Sequence, residues 1–200
     1  MRLATVVVAA CVLVSPEATL NAQQPGSRPA AAQPQPASRR TSYTLGISKG
    51  AGALTCTFCN DEGKDGIAGM VGIETPFRRA IKLGFEADWW LHSGGGSSRS
   101  VFAAMPVFHL YLSPASRAFF KAGLGIGRFT ASSDEEELRA TALSGVVGVG
   151  YEFRLANRSA LVPYLSWVRG TGGDMRLNGA LVTPYGGLSL LQYGVALSKR

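Results

Sequence analysis

The sequence predicts an all-β chain: an eight-stranded, antiparallel, up-and-down transmembrane β-barrel that follows a signal peptide and a short disordered linker. Three observations lead to this fold class. Apolar residues alternate with small or polar residues over long segments, and a period of two indicates strands. The segments approach the roughly nine to eleven residues that a tilted strand needs to cross a bilayer. One face of each segment is apolar while the other carries glycines and charges, as in a barrel with lipid outside.

The segment from Ser100 to Arg128 shows this sidedness most clearly, as two strands joined by a tight turn. On the first strand an apolar row that includes Phe102 and Phe108 opposes a row with Met105 and His109. The second strand has a similar apolar row, opposed by Arg117, Lys121 and three glycines. We therefore expect the apolar rows to face lipid and the mixed rows to face the lumen.

The N-terminus has the features of a secretory signal for the Sec pathway. A basic residue at Arg2 precedes an apolar stretch, and a small-residue cleavage site ends at Ala22, which predicts a signal peptide over residues 1–22. Residues 23–40 are rich in Pro, Ala and Gln and are expected to form a disordered linker, leaving residues 41–200 as the barrel domain. Acylation of Cys11, as in a lipoprotein, is an open alternative. No run of about 18 apolar residues follows, so no transmembrane helix is predicted.

Eight strands can be placed along the rest of the chain. Their predicted cores are Tyr43–Ile47, Ile67–Glu74, Ile81–Leu91, Phe102–Leu112, Ala118–Ile126, Ala142–Arg154, Ser159–Arg169 and Leu191–Leu197. The phase of the seventh is left open, because two apolar rows compete. Long connections at residues 49–65, 92–99, 130–137 and 170–186 alternate with short ones. An eight-stranded barrel has an interior that side chains just fill, so no open pore is expected.

Two prolines, Pro106 and Pro163, fall within predicted strands. Each lacks the backbone N–H that a ladder needs, and we expect a local bulge to absorb each of them.

Charged residues occupy the predicted inward rows, and they are the candidate site. Charges inside a narrow lumen need partners, because unpaired burial is costly. The predicted lumen charge network consists of Glu74, Lys82, Glu86, Asp88, His109, Lys121, Glu152 and Arg154. A network that fills the barrel is the structural interpretation, and a proton or ion path is the alternative. No catalytic residue, cofactor or metal is expected.

Cys56 and Cys59 lie close together in the first predicted loop, and a disulfide is the expected state in a secreted protein. Free thiols, or a metal bound with Asp61 and Glu62, remain alternatives. The acidic run at residues 134–137 is either a solvated loop tip or a site for divalent cations that bridge lipid phosphates.

The sequences GFEADWW at residues 84–90 and VPYLSW at residues 162–167, together with the signal and the rhythm of loops, resemble the small bacterial outer-membrane barrels of the OmpA-like and OmpX-like type. The resemblance spans Tyr43 to Ser198. It implies a monomer in the bacterial outer membrane that is folded by the barrel assembly machinery and contacts outer-membrane lipid and lipopolysaccharide. The implied role is structural or one of surface interaction, with an extracellular ligand at the long loops.

Two other functions are alternatives to this role. Some barrels of this size modify lipid A with a His/Ser pair, but His109 and Ser113 lack the expected spacing, so an enzyme is not predicted. A soluble, secreted, lipocalin-like lipid carrier would turn the apolar rows inward and expose Lys82, Glu86, Asp88 and Lys121. The net charge is +7, but the basic residues form no patch with interleaved aromatics, and nucleic-acid binding is not expected.

Overall fold

The computed structural model describes residues 40–56, 63–113, 115–133, 136–155 and 158–200. The strands are β1 (Ser42–Thr55), β2 (Lys64–Arg78), β3 (Ile81–Gly94), β4 (Ser97–Tyr111), β5 (Ala118–Ser132), β6 (Glu137–Tyr151), β7 (Phe153–Arg154), β8 (Ser159–Leu177) and β9 (Ala180–Lys199). The two-residue β7 continues β6 beyond Glu152, since both pair with β8. The described chain thus has eight long strands. The predicted signal peptide and almost all of the linker lie outside the described residues and stay predictions.

The eight long strands close into a barrel. Each strand pairs antiparallel with its neighbour in the order β6-β5-β4-β3-β2-β1-β9-β8, and β6 pairs with β8 to complete the circle. The first and last strands meet through pairs such as Leu45 with Leu197. Closure leaves no open sheet edge, as lipid requires, because backbone groups have no water to bond with there. The predicted fold class is confirmed.

The sidedness of the strands is also as predicted. Ile47 and Leu124 are 71% and 70% exposed on the outside, whereas Lys121 is 4% and Glu86 1% exposed in the lumen. The aromatic residues Tyr43, Trp167 and Tyr193 lie on the exterior. The lipocalin-like alternative is therefore wrong, because it requires the charged row to face water and the apolar row to form the core.

The structure shows which row of the seventh predicted strand, β8, faces outward. Leu161, Leu165 and Trp167 are exposed on the exterior, while Val162, Tyr164 and Val168 are buried in the lumen.

The two prolines are accommodated differently from the prediction. Pro163 lies where the β6–β8 ladder ends, next to the break at Glu152, so its missing N–H interrupts β6 there. At Pro106 no bulge forms. The β4–β5 pairing stops at Ala104 and resumes at Val107 in the same register, and the two residues between them are unpaired on that side.

The predicted long loops are mostly strand. β8 and β9 run for 19 and 20 residues and are joined only by Asn178 and Gly179. Gly95 and Gly96, both with positive φ, form the whole connection between β3 and β4. The prediction failed because it relied on the alternation of apolar residues. Strands that project beyond the lipid form backbone hydrogen bonds to each other and do not require that alternation. The barrel therefore extends as hairpins at the end opposite the termini.

Among the described residues there is no helix that is both long and apolar enough to cross a membrane.

Candidate functional site in the lumen

The half of the lumen towards the projecting hairpins is filled by an apolar plug. Trp90, Leu188 and Leu190 are fully buried there and pack with Met105 and Val168. The indole Nε1 of Trp90 donates to the Gly50 carbonyl oxygen at 3.1 Å, which satisfies the one polar atom of that ring. The plug fills the interior in the way expected for eight strands.

A layer of buried polar groups follows next along the axis. The Lys121 ammonium donates to the Glu86 carboxylate, and the Gln192 amide donates to Asp88. Ser48 Oγ donates to Gln192 Oε1 at 3.3 Å. Glu86 and Asp88 are adjacent acidic groups on the inner face of β3, and Lys121 is the cation beside them. Lys121 Nζ also lies 5.5 Å from the centre of the Tyr164 ring.

A second ion-pair cluster lies towards the termini and centres on Glu152. Lys82 Nζ donates to Glu152 Oε1 at 2.6 Å and lies 3.3 Å from Glu74 Oε2. The Tyr111 hydroxyl and the Arg200 guanidinium each donate to the same carboxylate at 2.5 Å. Burial raises the pKa of Glu152, but Lys82, Tyr111 and Arg200 outweigh burial and hold that pKa below its usual value. Glu152 is therefore an anion at neutral pH.

His109 and Glu74 complete this cluster. His109 Nδ1 lies 3.2 Å from Glu74 Oε1, and the imidazole stacks on Phe119 with 4.7 Å between ring centres. A small cavity of about 20 Å³, bordered by Glu74, Glu86 and Lys121, separates the two polar layers. A space of this size holds about one water molecule.

Seven of the eight predicted lumen residues thus lie inside the barrel, and they form two clusters rather than one network. Glu86, Asp88 and Lys121 meet in the middle, and Glu74, Lys82, His109 and Glu152 meet towards the termini. Arg154 is different, because its side chain is exposed at the end of the barrel. It belongs to β7 and pairs with Ala160 at the mouth of the lumen, where its side chain is exposed instead of enclosed.

Sequence reasoning missed Tyr111, Gln192 and Trp90 as parts of the lumen site. All three are on the predicted inward rows, so the alternation already indicates their position. The candidates were selected because a buried charge needs a partner. Tyr111, Gln192 and Trp90 carry no charge, so they were not selected. Arg200 was missed for another reason, since nothing in the alternation brings the chain end to Glu152.

The other candidate groups lie apart from these clusters. Cys56 is described but Cys59 is outside the described residues, so the disulfide stays a prediction. Of the acidic run only Glu136 and Glu137 are described, and Glu137 pairs with Arg139. His92 Nδ1 lies 2.7 Å from the Asp65 carbonyl oxygen, near the projecting end. No three His, Cys, Asp or Glu side chains in the described part of the chain are grouped to hold a metal ion.

Comparison with known proteins gives structural neighbours only. No family model and no curated protein sequence matches the chain. Among solved structures, the Neisserial surface protein A (NspA) is similar with a TM-score of 0.55 and 7% identity, over 78% of this chain and 96% of that one.

This chain has the fold of a bacterial outer-membrane β-barrel. The predicted outer-membrane location agrees with this fold and with the lipid-facing exterior. Two further outer-membrane barrels are found at lower TM-scores. Ail of Yersinia pestis gives 0.47 at 10% identity, over 78% of this chain and 97% of that one. OprG of Pseudomonas aeruginosa gives 0.42 at 9% identity, over 80% of this chain and 95% of that one.

Proposed function

We propose that this outer-membrane barrel is a monomer that conducts no solutes and has a structural or surface-interaction role. The observation that carries the proposal is the apolar plug. Trp90, Leu188 and Leu190 are each 0% exposed, which supports a lumen that is closed to ions and protons at that level. With the lumen filled, the surfaces available for function are the two ends and the exterior.

The projecting hairpins support a role at the cell surface. From Arg169, the last residues of β8 extend about 25 Å along the strand at roughly 3.3 Å per residue. Leu181, Val182 and Tyr185 are 56%, 55% and 69% exposed on the returning strand β9. Exposed apolar side chains on a projecting hairpin favour contact with a partner. The extracellular ligand predicted at long loops is accordingly proposed at this hairpin instead.

Arginines beside the lipid-facing exterior support the predicted contact with lipopolysaccharide. Arg128, Arg139 and Arg176 border one cavity of about 430 Å³ on β5, β6 and β8. Arg139 and Arg176 have acidic neighbours on their own strands, whereas Arg128 has no ion pair among the described residues. Arginine binds phosphate groups well because its planar donors match two oxygens at once.

A non-enzymatic role is part of the proposal. His109 faces the lumen beside Glu74, and His92 contacts a backbone carbonyl. Neither histidine is on the lipid-facing exterior where a lipid-modifying His/Ser pair would act.

Conductance of the folded full chain in a planar bilayer tests the closed lumen. We expect no steps above the leak of the bare membrane. The variant Trp90→Ala, Leu188→Gly, Leu190→Gly should leak more than the unchanged chain, because water then reaches the charged layer at Glu86 and Lys121. The matched control Leu165→Gly, Trp167→Ala, Leu191→Gly makes the same changes on the exterior and should stay closed. Steady conductance by the unchanged chain would refute the proposal.

Cysteine labelling on intact cells tests the surface role, in a chain whose native cysteines are replaced by serine. Ala180→Cys at the projecting hairpin should react with a membrane-impermeant maleimide. Ala115→Cys, in the turn between β4 and β5 at the other end, should react only after lysis. The reverse pattern would contradict the proposed orientation.

A further inference from the structure

The end of the barrel where β1 begins and β9 ends is surrounded by basic residues. Eight exposed basic side chains form what we call the basic rim: Arg40, Arg78, Arg79, Arg117, Arg154, Arg158, Lys199 and Arg200. The acidic residues described at this end, Glu74 and Glu152, are both buried in the lumen. All exposed side-chain charge described at this end is therefore positive.

Five arginines of the basic rim converge on one cavity. Arg40, Arg78, Arg79, Arg154 and Arg200 line a space of about 170 Å³ at the mouth of the lumen, above Lys82 and Glu152. They come from the start of β1, the β2–β3 turn, β7 and the end of β9. Four separate stretches of the chain thus bring guanidinium groups to the same mouth.

The acidic residue at the base of this cavity already has hydrogen-bond donors within the barrel. Glu152 accepts hydrogen bonds from Lys82, Tyr111 and Arg200. Arg40, Arg78, Arg79 and Arg154 form no ion pair with any residue of the described chain. Several like charges around one cavity repel each other, so an anion with several oxygens would stabilise this arrangement. Phosphate groups fit that requirement, since each guanidinium can bind two of their oxygens.

The surroundings of the rim favour a membrane lipid as the source of the phosphate. Phe77 and Phe153 are 57% and 50% exposed on the exterior, and each immediately precedes a rim arginine. The Arg78 guanidinium lies 5.7 Å from the centre of the Phe77 ring. Lipid-facing aromatic residues mark the membrane–water boundary of such barrels. The rim arginines therefore lie at the level of lipid headgroups.

From these observations we propose that the basic rim binds an anionic phospholipid of the adjacent leaflet, with the headgroup phosphate in the cavity between Arg78, Arg79 and Arg154. Basic pockets beside a membrane bind anionic headgroups in this way. In an outer-membrane barrel the end with both termini faces the periplasm, so this leaflet is the inner one. The inference goes beyond the proposed function, and a closed lumen does not depend on it.

Native mass spectrometry of the full chain tests this site. The folded barrel is transferred from micelles that contain equal amounts of phosphatidylglycerol and phosphatidylcholine, and the lipids that remain bound are counted. We expect phosphatidylglycerol to be retained preferentially. The variant Arg78→Gln, Arg79→Gln, Arg154→Gln should lose about 100-fold in affinity for phosphatidylglycerol, since each arginine near an anionic surface contributes about fivefold.

The matched control is Lys49→Gln, Lys64→Gln, Arg169→Gln, which removes three exposed positive charges outside both arginine-lined cavities and should retain phosphatidylglycerol as the unchanged chain does. Heat-modifiable migration on a gel checks that each variant folds. If the rim triple variant does not fold, Arg79→Gln and Arg154→Gln are measured singly and should each lose about fivefold.

Inorganic phosphate, added at matched ionic strength, distinguishes the two sources of the anion. Weak competition by phosphate, with strong retention of phosphatidylglycerol, supports the lipid. Three results would overturn the proposal. These are equal retention of both lipids, equal loss in the rim and control variants, or binding of inorganic phosphate without selection for phosphatidylglycerol.

Discussion

Replacing Lys121 by methionine should strongly destabilise the barrel. Lys121 is 4% exposed and is the cation beside Glu86 and Asp88, which are 1% and 0% exposed. Methionine keeps most of the side-chain volume and removes the charge. Glu86 would lose the ammonium that now donates to it, while Gln192 would continue to hold only Asp88. The Glu86 carboxylate would then remain buried with no cation beside it.

The size of the effect follows from the cost of leaving a buried charge unpaired. Removing one partner of a buried ion pair costs about 3–5 kcal/mol. Most folded domains are stable by only about 5–15 kcal/mol, so the loss would be a large fraction of the total. A second substitution should recover most of it, because Lys121→Met with Glu86→Gln removes the unpaired charge as well.

Urea unfolding of the full chain in phospholipid vesicles measures this prediction, with tryptophan fluorescence as the signal and linear extrapolation to zero urea. The control is Lys49→Met. Lys49 Nζ lies 3.9 Å from Asp65 Oδ2, and both side chains are exposed, at 61% and 77%. Breaking that pair should cost about 0–1 kcal/mol. If Lys121→Met unfolds at the same urea concentration as Lys49→Met, the lumen pair does not stabilise the barrel and our reasoning is wrong.

Three further predictions concern the exterior, the plug and the cysteines. Leu124→Arg, at a side chain 70% exposed to lipid, should destabilise the barrel in vesicles by about 2–4 kcal/mol. Thr130→Arg, further along β5, should cost about 0–1 kcal/mol, and equal costs would contradict the assigned belt. Gly52→Val should cost about 1–3 kcal/mol in urea unfolding by overpacking, since a Cβ there would lie 2.5 Å from the Trp90 ring. Gly63→Val is its control, with its nearest neighbour at 3.9 Å, and equal midpoints would speak against the plug. Cys56 and Cys59 should react with maleimide only after reduction, and labelling before reduction would disprove the disulfide.

Much of the lumen is readable from alternation, but the partners within it are not. The inward rows on β3 and β5 are enough to predict that Glu86 and Lys121 lie inside the barrel. Their contact depends on the relative register of strands that are not adjacent. Two clusters formed where one was expected, and the small cavity between them is lined by the Phe119 and Tyr164 rings as well as by charged groups. Arg154 left the set because it lies at the mouth of the barrel, where its side chain is exposed.

The ends of the barrel were the least predictable part. Alternating apolar residues indicate strands that contact lipid. Where a strand continues beyond the lipid, the alternation is absent and the strand cannot be recognised in the sequence. β8 and β9 therefore continue through a glycine-rich stretch that has no strand pattern. The basic rim could not be predicted for a related reason, since Arg40, Arg79 and Arg200 belong to a linker, a turn and a chain end in the sequence.

By itself the sequence determined that the chain forms strands, that these strands close into a barrel, and which row meets lipid. These conclusions follow from the local alternation of apolar and polar residues together with one property of lipid. Lipid accommodates apolar side chains but cannot form hydrogen bonds, so every backbone group must be paired within the sheet. Tertiary structure alone decided which charges meet, how far the hairpins project and that four separate segments converge at one mouth. Those features depend on the register and tilt that closure imposes across the whole sheet, and no local stretch of residues contains that information.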